Sequence, residues 1–297
     1  MERTKTIKPH KGDVSAILCS DFHLREDIPE CRTDDFQKAL WNKVKFISEL
    51  QLKYQCKVLH AGDLFHHWKP SPNLLSLAAM YLPREFYTIY GQHDLPQHNY
   101  ELRSKSGIYT LFVSGIIEVL KKGVHWGKEV KEPTLMHNGR VILIWHHLTY
   151  QATKPFPGAT DGMAAGILKK YPDYDLILTG DNHIPFVEEF AGRLLVNPGS
   201  LTRQSANQID HRPRVYLYYA ESNTVEPIYL SINKDDVTRS HIINVEERDA
   251  RIEAFISQLN NDWEIAVSFD ENMKLFEQAN KIQQPIMDII YKAIEND

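Results

Sequence analysis

Short apolar runs alternate with helical patterns along the first two-thirds of the chain. Val14–Ser20 (VSAILCS), Lys57–Ala61 and Tyr87–Tyr90 each read as a buried strand. Between them, Asp34–Leu52 places Phe36, Leu40, Val44, Ile47 and Leu50 at helical spacing, and Asn73–Leu82 forms a second helical pattern after Pro72. Later strands are predicted at Val141–Trp145, Asp175–Thr179, Leu194–Asn197, Val215–Tyr219 and Val225–Leu230. Strands alternating with helices predict a layered α/β fold, and the strand-rich later part predicts a second sheet stacked on the first. Asn73–Leu82 is apolar nearly all round, as a helix is when it is buried or lies at a subunit interface.

The pattern changes after about Ile232. Ile252, Phe255, Ile256 and Leu259 share one helical face within Glu246–Leu259. Ile286, Ile289, Ile290 and Ile294 share another within Gln284–Ile294, where Pro285 suits a helix start. The expected organisation is one large domain over 1–235 and a small, mostly helical C-terminal cap or partner-docking segment over 236–297.

Composition narrows the class. Of 297 residues, 42% are hydrophobic and 25% charged, enough to bury a core. No apolar run approaches the roughly 18 residues of a membrane span, so no membrane partner is expected. The first residues lack the apolar centre of a secretory leader, and the three cysteines have no metal-type spacing. A cytoplasmic, reducing setting is the expectation. The net charge of −5 leans against a protein that holds nucleic acid by charge alone. It leaves open an enzyme whose cations meet a single phosphate.

Five segments carry the candidate chemistry: Ser20-Asp21-Phe22-His23, Gly62-Asp63-Leu64-Phe65, Gly91-Gln92-His93-Asp94, Trp145-His146-His147 and Gly180-Asp181-Asn182-His183. Each sets Asp, His or an amide just beyond an apolar, strand-like run. Ligands of open α/β sheets sit beyond the carboxyl ends of the strands, so the five tips are expected to converge. Carboxylates and imidazoles suit manganese, iron or zinc, and a larger oxygen share favours manganese or magnesium. No thiolate takes part, which argues against a closed structural zinc site. Taken singly, each segment has a structural explanation as a strand followed by a turn.

Taken together, their order and spacing resemble the signature of the calcineurin-like metallophosphoesterases over about 200 residues. Within that superfamily the stretch Gly62-Asp63-Leu64-Phe65-His66-His67-Trp68-Lys69-Pro70-Ser71 and the Asp21-Phe22-His23-Leu24 segment resemble the SbcD/Mre DNA nucleases. Asn197-Pro198-Gly199-Ser200 resembles a turn found in several branches. The resemblance implies a four-layer α/β/β/α sandwich and two divalent ions, manganese foremost, with magnesium, iron or zinc as alternatives. It implies that Asp21, His23, Asp63 and His183 hold the first ion, Asp63 bridging, and that Gln92, His146 and Asp181 complete the second. His93 would protonate or stabilise the leaving oxygen, with Asp94 orienting it. It also implies a DNA substrate, processing of ends in repair, recombination or replication, an SbcC/Rad-type ATPase partner, and a homodimer built on the helices near 73–82 and 104–114.

Two positions depart from the family pattern. Gln92 stands where Asn is usual, and Asp181 where the first His of the last motif is usual. Both fall on the second ion, so that site is either retuned toward hard ions or weakened. Two further functions stay open: a phosphodiesterase for cyclic or linear nucleotides, favoured by the acidic charge, and a non-catalytic binding subunit, motivated by Gln92 and Asp181. Strand alternation favours His146 over His147 as the inward residue. His60 reads as a core histidine. His66 and His67 read equally as neighbours of the site or as packing residues, and His98 as a loop residue. Lys69, Arg103, Lys105, Arg203, Arg212 and Arg214 lie in or near motif-bearing loops; an ordinary solvated surface explains each as well as a phosphate contact does.

Overall fold

The computed structural model describes residues 12–131, 135–154, 162–233 and 236–239, with short stretches of the tail at 273–274, 276–278, 282 and 284–287. The chain divides into two compact units, Met1–Arg239 and Ser240–Asp297. The helical pattern over 246–259 lies outside the described residues, as does the 284–294 pattern beyond the helical residues 284–287.

The first unit is built on two sheets. One orders its strands β11-β10-β1-β2-β3-β4: β1 (Ala16–Cys19), β2 (Lys57–His60), β3 (Phe86–Thr88) and β4 (Glu118–Val119) run parallel, with β10 (Arg214–Tyr219) antiparallel to β1 and β11 (Thr224–Tyr229) at the edge. The other orders β5-β6-β7-β9-β8: β6 (Arg140–His146), β7 (Leu176–Gly180) and β9 (Arg193–Asn197) are parallel, flanked by antiparallel β5 (Leu135–His137) and β8 (Phe186–Phe190).

Side-chain alternation makes the layers. Leu18, Leu59, Ile142, Ile144, Leu176 and Leu178 fill the space between the sheets. Their neighbours Ile17, Val58 and Phe86 face outward against helices α1 (Phe36–Tyr54), α2 (Pro72–Tyr81) and α3 (Gly107–Val113). On the opposite side, Leu143, Ile177 and Leu195 pack against α4 (Ala164–Lys170). The result is the expected four-layer α/β/β/α sandwich. Each central strand buries both faces, and each such aliphatic side chain contributes about 1.5–3 kcal/mol.

Side-chain caps fix the helix starts. Asp35 accepts from the Lys38 N–H at 3.0 Å, and Ser71 from the Leu74 N–H at 3.0 Å with Pro72 in the first turn. The α2 helix buries only Leu74 and Ala78, while Met80 is 67% exposed. Leu75, Leu77 and Tyr81 are half-buried against the core, so the exposed side of α2 is mixed: Pro72, Asn73, Ser76, Ala79 and Met80. Among the described residues, no helix is long and apolar enough to cross a membrane.

Candidate metal centre

Parallel strands end at one edge of each sheet, and the five segments begin where they end. Asp21 and His23 follow β1, Asp63 follows β2, and the 91–94 loop follows β3. His146 closes β6, opposite Gly180 of β7, and Asp181 and His183 come next. Backbone bonds lock the first loops together: Asp21 N–H to Gly62 O at 3.1 Å and His23 N–H to Asp63 O at 3.0 Å. The Asp181 N–H donates to Asp21 Oδ1 at 3.0 Å, tying the two sheets at this point.

The local backbone is strained where the chemistry lies. Asp21, His23, Asp63 and Asp181 all adopt left-handed φ, at 50°, 46°, 57° and 79°. Such conformations cost non-glycine residues of order 1–3 kcal/mol and gather at functional sites. Gly62, at φ 95°, and Gly180 provide room: a Cβ on either would stand 2.6 Å or 2.9 Å from His146 Nδ1.

The donor atoms meet. His23 Nε2 and His183 Nε2 are 3.0 Å apart, and each is 3.9 Å from Asp21 Oδ1. Asp63 Oδ2 lies 3.8 Å from His23 Nε2 and 3.5 Å from His146 Nε2, between the two halves of the cluster. Asp63 Oδ1 is already engaged by the His93 backbone N–H at 2.9 Å. Three overlapping groups, Asp21–His23–His183, Asp21–Asp63–His146 and His23–His66–His93, each bring their ligand atoms within 4.8 Å of one another.

Four buried atoms face this cluster without a hydrogen-bond partner: Asp21 Oδ2, His23 Nδ1, Asp63 Oδ2 and His146 Nε2. Orphaned polar atoms of this kind are rare in native interiors. The proton affinities conflict in the same way. Burial pushes His23 well below its ordinary value, against the pull of Asp63. Burial also raises Asp21, opposed by His183 and His146. Burial disfavours the His146 cation, yet the Asp63 carboxylate, 3.5 Å from Nε2, outweighs it and pushes the imidazole up to about 10. Burial raises Asp63 in turn, but His146, His23 and His93 together hold it well below the usual carboxylate range. Carboxylates and imidazoles gathered this closely, with buried atoms left unpartnered among them, fit divalent cations.

His146 is the inward member of its pair, with Nδ1 2.6 Å from Ala61 O; His147 stacks on Trp145 at 4.0 Å. Asp181 and Gln92 stand beside these groups rather than in them: the Asp181 backbone N–H meets Asp21, and Gln92 Nε2 donates to Asp181 Oδ1 at 3.0 Å.

Asp94 does not take the place expected for it beside the His93 ring. Its carboxylate accepts the backbone N–H groups of Leu64, Phe65 and Gly91 at 3.3, 3.0 and 3.0 Å. Burial and the nearby Asp63 push this carboxyl up to about 8 against those bonds. Asp94 thus braces the 63–65 loop to the 91–94 loop. The His93 ring is oriented by the His66 carbonyl, which lies 3.0 Å from Nδ1.

His66 joins the site more closely than its sequence position could decide. Its ring stacks on His93 at 5.4 Å and meets His23 edge-on at 5.7 Å, and burial lowers it to about 4. His60 is fully buried, with Nδ1 2.8 Å from Thr88 Oγ1, and belongs to the core. His98 is exposed, Nδ1 being 3.0 Å from Gln92 O. Arg203 is 3% exposed and ion-paired with Asp236, and Arg212 and Arg214 lie over the Tyr229 ring at 4.5 and 4.7 Å.

The calcineurin-like phosphoesterase superfamily domain matches residues 15–218. No curated protein matches the chain. Among solved structures it is similar to an archaeal phosphodiesterase, at 16% identity and TM-score 0.41 over 72% of this chain and 99% of that one. It is similar to a single mutant of Vps29 from Entamoeba histolytica, at 16% and 0.36 over 73% and 99%. It is also similar to a metallophosphoesterase from Sphaerobacter thermophilus, at 12% and 0.39 over 75% and 90%.

Proposed function

This chain belongs to the calcineurin-like phosphoesterase superfamily, and on that footing we propose that it is a metal-dependent phosphodiester hydrolase acting on DNA, in the manner of the SbcD/Mre nucleases. The observation that carries the hydrolase reading is the meeting of Asp21, His23, Asp63, His146 and His183 around unpartnered buried atoms. Asp21, His23, Asp63 and His183 would hold one divalent ion, and Asp63, His146, Gln92 and Asp181 a second. Manganese suits this oxygen-rich set best, ahead of magnesium, iron or zinc. When bound, such ions stabilise charge on phosphoryl oxygens and ease the ionisation of water.

The chain's own part is orientation and proton handling. Asp63 spans the two halves, one oxygen fixed by the His93 N–H and the other facing His23 and His146. The His93 Nδ1–H donates to the His66 carbonyl, which leaves Nε2 to give a proton to the leaving oxygen. The left-handed turns hold the carboxylates in place before substrate arrives.

The 62–71 stretch supports DNA as the substrate, with end processing in repair, recombination or replication. A homodimer through the helices near 73–82 and 104–114 belongs to the same proposal and rests on the family resemblance. The segment after residue 235 is proposed as the dock for an SbcC/Rad-type ATPase. A second reading, turnover of cyclic or linear nucleotides, is favoured by the net charge of −5. Labelled single- and double-stranded DNA and cyclic nucleotides, each with manganese, separate the two. DNA cleavage lost in His93→Ala supports the proposal. Cyclic nucleotide turnover with DNA intact overturns the substrate, and failure to cleave an aryl phosphodiester in any divalent metal overturns the enzyme.

A further inference from the structure

Asp21 and Asp63 bring two carboxylates into the cluster, and Asp181 stands beside it as a third, its backbone N–H on Asp21 Oδ1 and its Oδ1 on the Gln92 amide. The fourth nearby, Asp94, is answered by three backbone N–H groups. Asp181 is held rather than free to swing out. Its backbone is left-handed at φ 79°, its N–H is bound to Asp21, and its Oδ1 is bound to the Gln92 amide. Gln92 is neutral and leaves that charge in place. The charged or titratable groups acting on Asp181 are the Asp63 carboxylate and the imidazoles of His146 and His183.

The count of charge then decides which phosphate suits the site. Two divalent ions bring four positive charges, and three carboxylates leave one. A phosphodiester carries one negative charge and closes the balance. A phosphomonoester, whose second pKa is about 6, carries two at pH 8 and overshoots it. At an effective dielectric near 20, a unit charge a few ångströms away changes binding by more than about tenfold.

We propose that Asp181 is a specificity-determining residue that suits this centre to singly charged phosphodiesters and sets it against doubly charged phosphomonoesters. The inference rests on the hydrolase reading above and adds the charge class of the substrate. It also assigns the bond between Gln92 and Asp181 a role, because that bond keeps the third carboxylate in the site.

The test uses wild type, Asp181→Asn and Asp181→His, each loaded with manganese. Calorimetry at pH 8 measures binding of methyl phosphate and dimethyl phosphate, which differ by one charge. Elemental analysis counts the ions. Asn and His each keep a neutral donor at this position, so the ion count is expected to stay unchanged while loss of the charge tightens methyl phosphate relative to dimethyl phosphate by about tenfold or more. The ratio of aryl monoester to aryl diester hydrolysis should rise in parallel. An unchanged binding ratio at unchanged ion count overturns the proposal. So does loss of an ion from both variants, since Asp181 is then an obligatory ligand. A shifted binding ratio in a protein that hydrolyses nothing would sink the hydrolase reading and leave the charge inference standing. Hydrolysis with an unshifted ratio would do the reverse.

Discussion

The Nε2 atoms of His23 and His183 stand 3.0 Å apart although 160 residues separate them in the chain. Two imidazole nitrogens that close are joined either by one proton or by a shared cation. Burial pushes His23 well below its ordinary pKa, which keeps a neutral ring whose lone pair is available to a cation. Manganese added to chelator-treated protein is therefore expected to raise the melting temperature. Ligand at 100 times its dissociation constant contributes about 2.7 kcal/mol. Asp63→Asn, which neutralises the carboxylate facing both halves, is expected to lose most of that rise. Scanning fluorimetry with a metal titration checks it, and a wild type indifferent to every divalent ion would count against the centre.

On the proposed reading, His93 acts through its ring as an acid rather than as a primary ligand. His93→Ala is expected to lower kcat for a phosphodiester by about 10²–10⁴, the range of a lost general acid. Metal affinity should change little, because the Asp21, Asp63, His146 and His183 donors remain. Asp94→Asn is expected to behave differently. It weakens the brace on the Leu64, Phe65 and Gly91 N–H groups, so both stability and activity should fall together. Paired measurements of kcat, metal affinity and melting temperature separate the two residues.

Much of this was legible in the sequence for a physical reason. Strands covered on both faces must be apolar at every position, so Ala16–Cys19, Leu176–Gly180 and Val215–Tyr219 stand out as unbroken runs. The edge strands Leu135–His137 and Phe186–Phe190 escaped notice, because one side meets solvent and admits His, Glu and an exposed Met136. Helix Ala164–Lys170 is only 7 residues long, too short for a helical period to declare itself. The clustered Asp and His side chains were legible because each follows a strand. Their pairings were not: the bond from Gln92 to Asp181 spans 89 residues and that from His93 to the His66 carbonyl spans 27. Side-chain identity says what a group can bond to, and only the fold says which partner is within reach.

The Asn197–Gly199 turn ties down the last motif. Asn197 is fully buried; its Nδ2 donates to Asn182 O at 2.9 Å and its Oδ1 accepts the Gly199 N–H at 3.1 Å. Asn182 lies between Asp181 and His183, so Asn197 holds the backbone that carries both. Asn197→Ala strands a buried donor and a buried acceptor, each worth about 1–3 kcal/mol. The expected loss is about 2–4 kcal/mol, with weaker manganese binding alongside. Urea denaturation with and without metal checks it. An Asn197→Ala protein as stable as wild type would remove the turn from the account.

His125 gives the fold a defined acid sensitivity. Its Nδ1 accepts the Tyr90 N–H at 3.1 Å, beneath the loop that carries Gln92, and its ring stacks on Tyr100 at 4.6 Å. Burial, aided by Arg103 and Lys128, lowers its pKa from 6.5 to about 3. Between those values the unfolded chain takes up a proton that the native chain refuses. Stability from this group is therefore complete above about pH 6.5 and falls as pH drops toward about 3. Two pH units below the unfolded value, at about pH 4.5, the loss is about 2–3 kcal/mol. His125→Asn places an amide oxygen where Nδ1 accepts, and it does not titrate. Comparing urea midpoints of wild type and His125→Asn at pH 7 and 4.5, with chelator present, should show a shallower acid decline in the variant by about that amount. Since other buried histidines add their own slopes, the difference between the two proteins is the quantity that tests His125. Equal slopes would mean that its ring takes up a proton in the folded state.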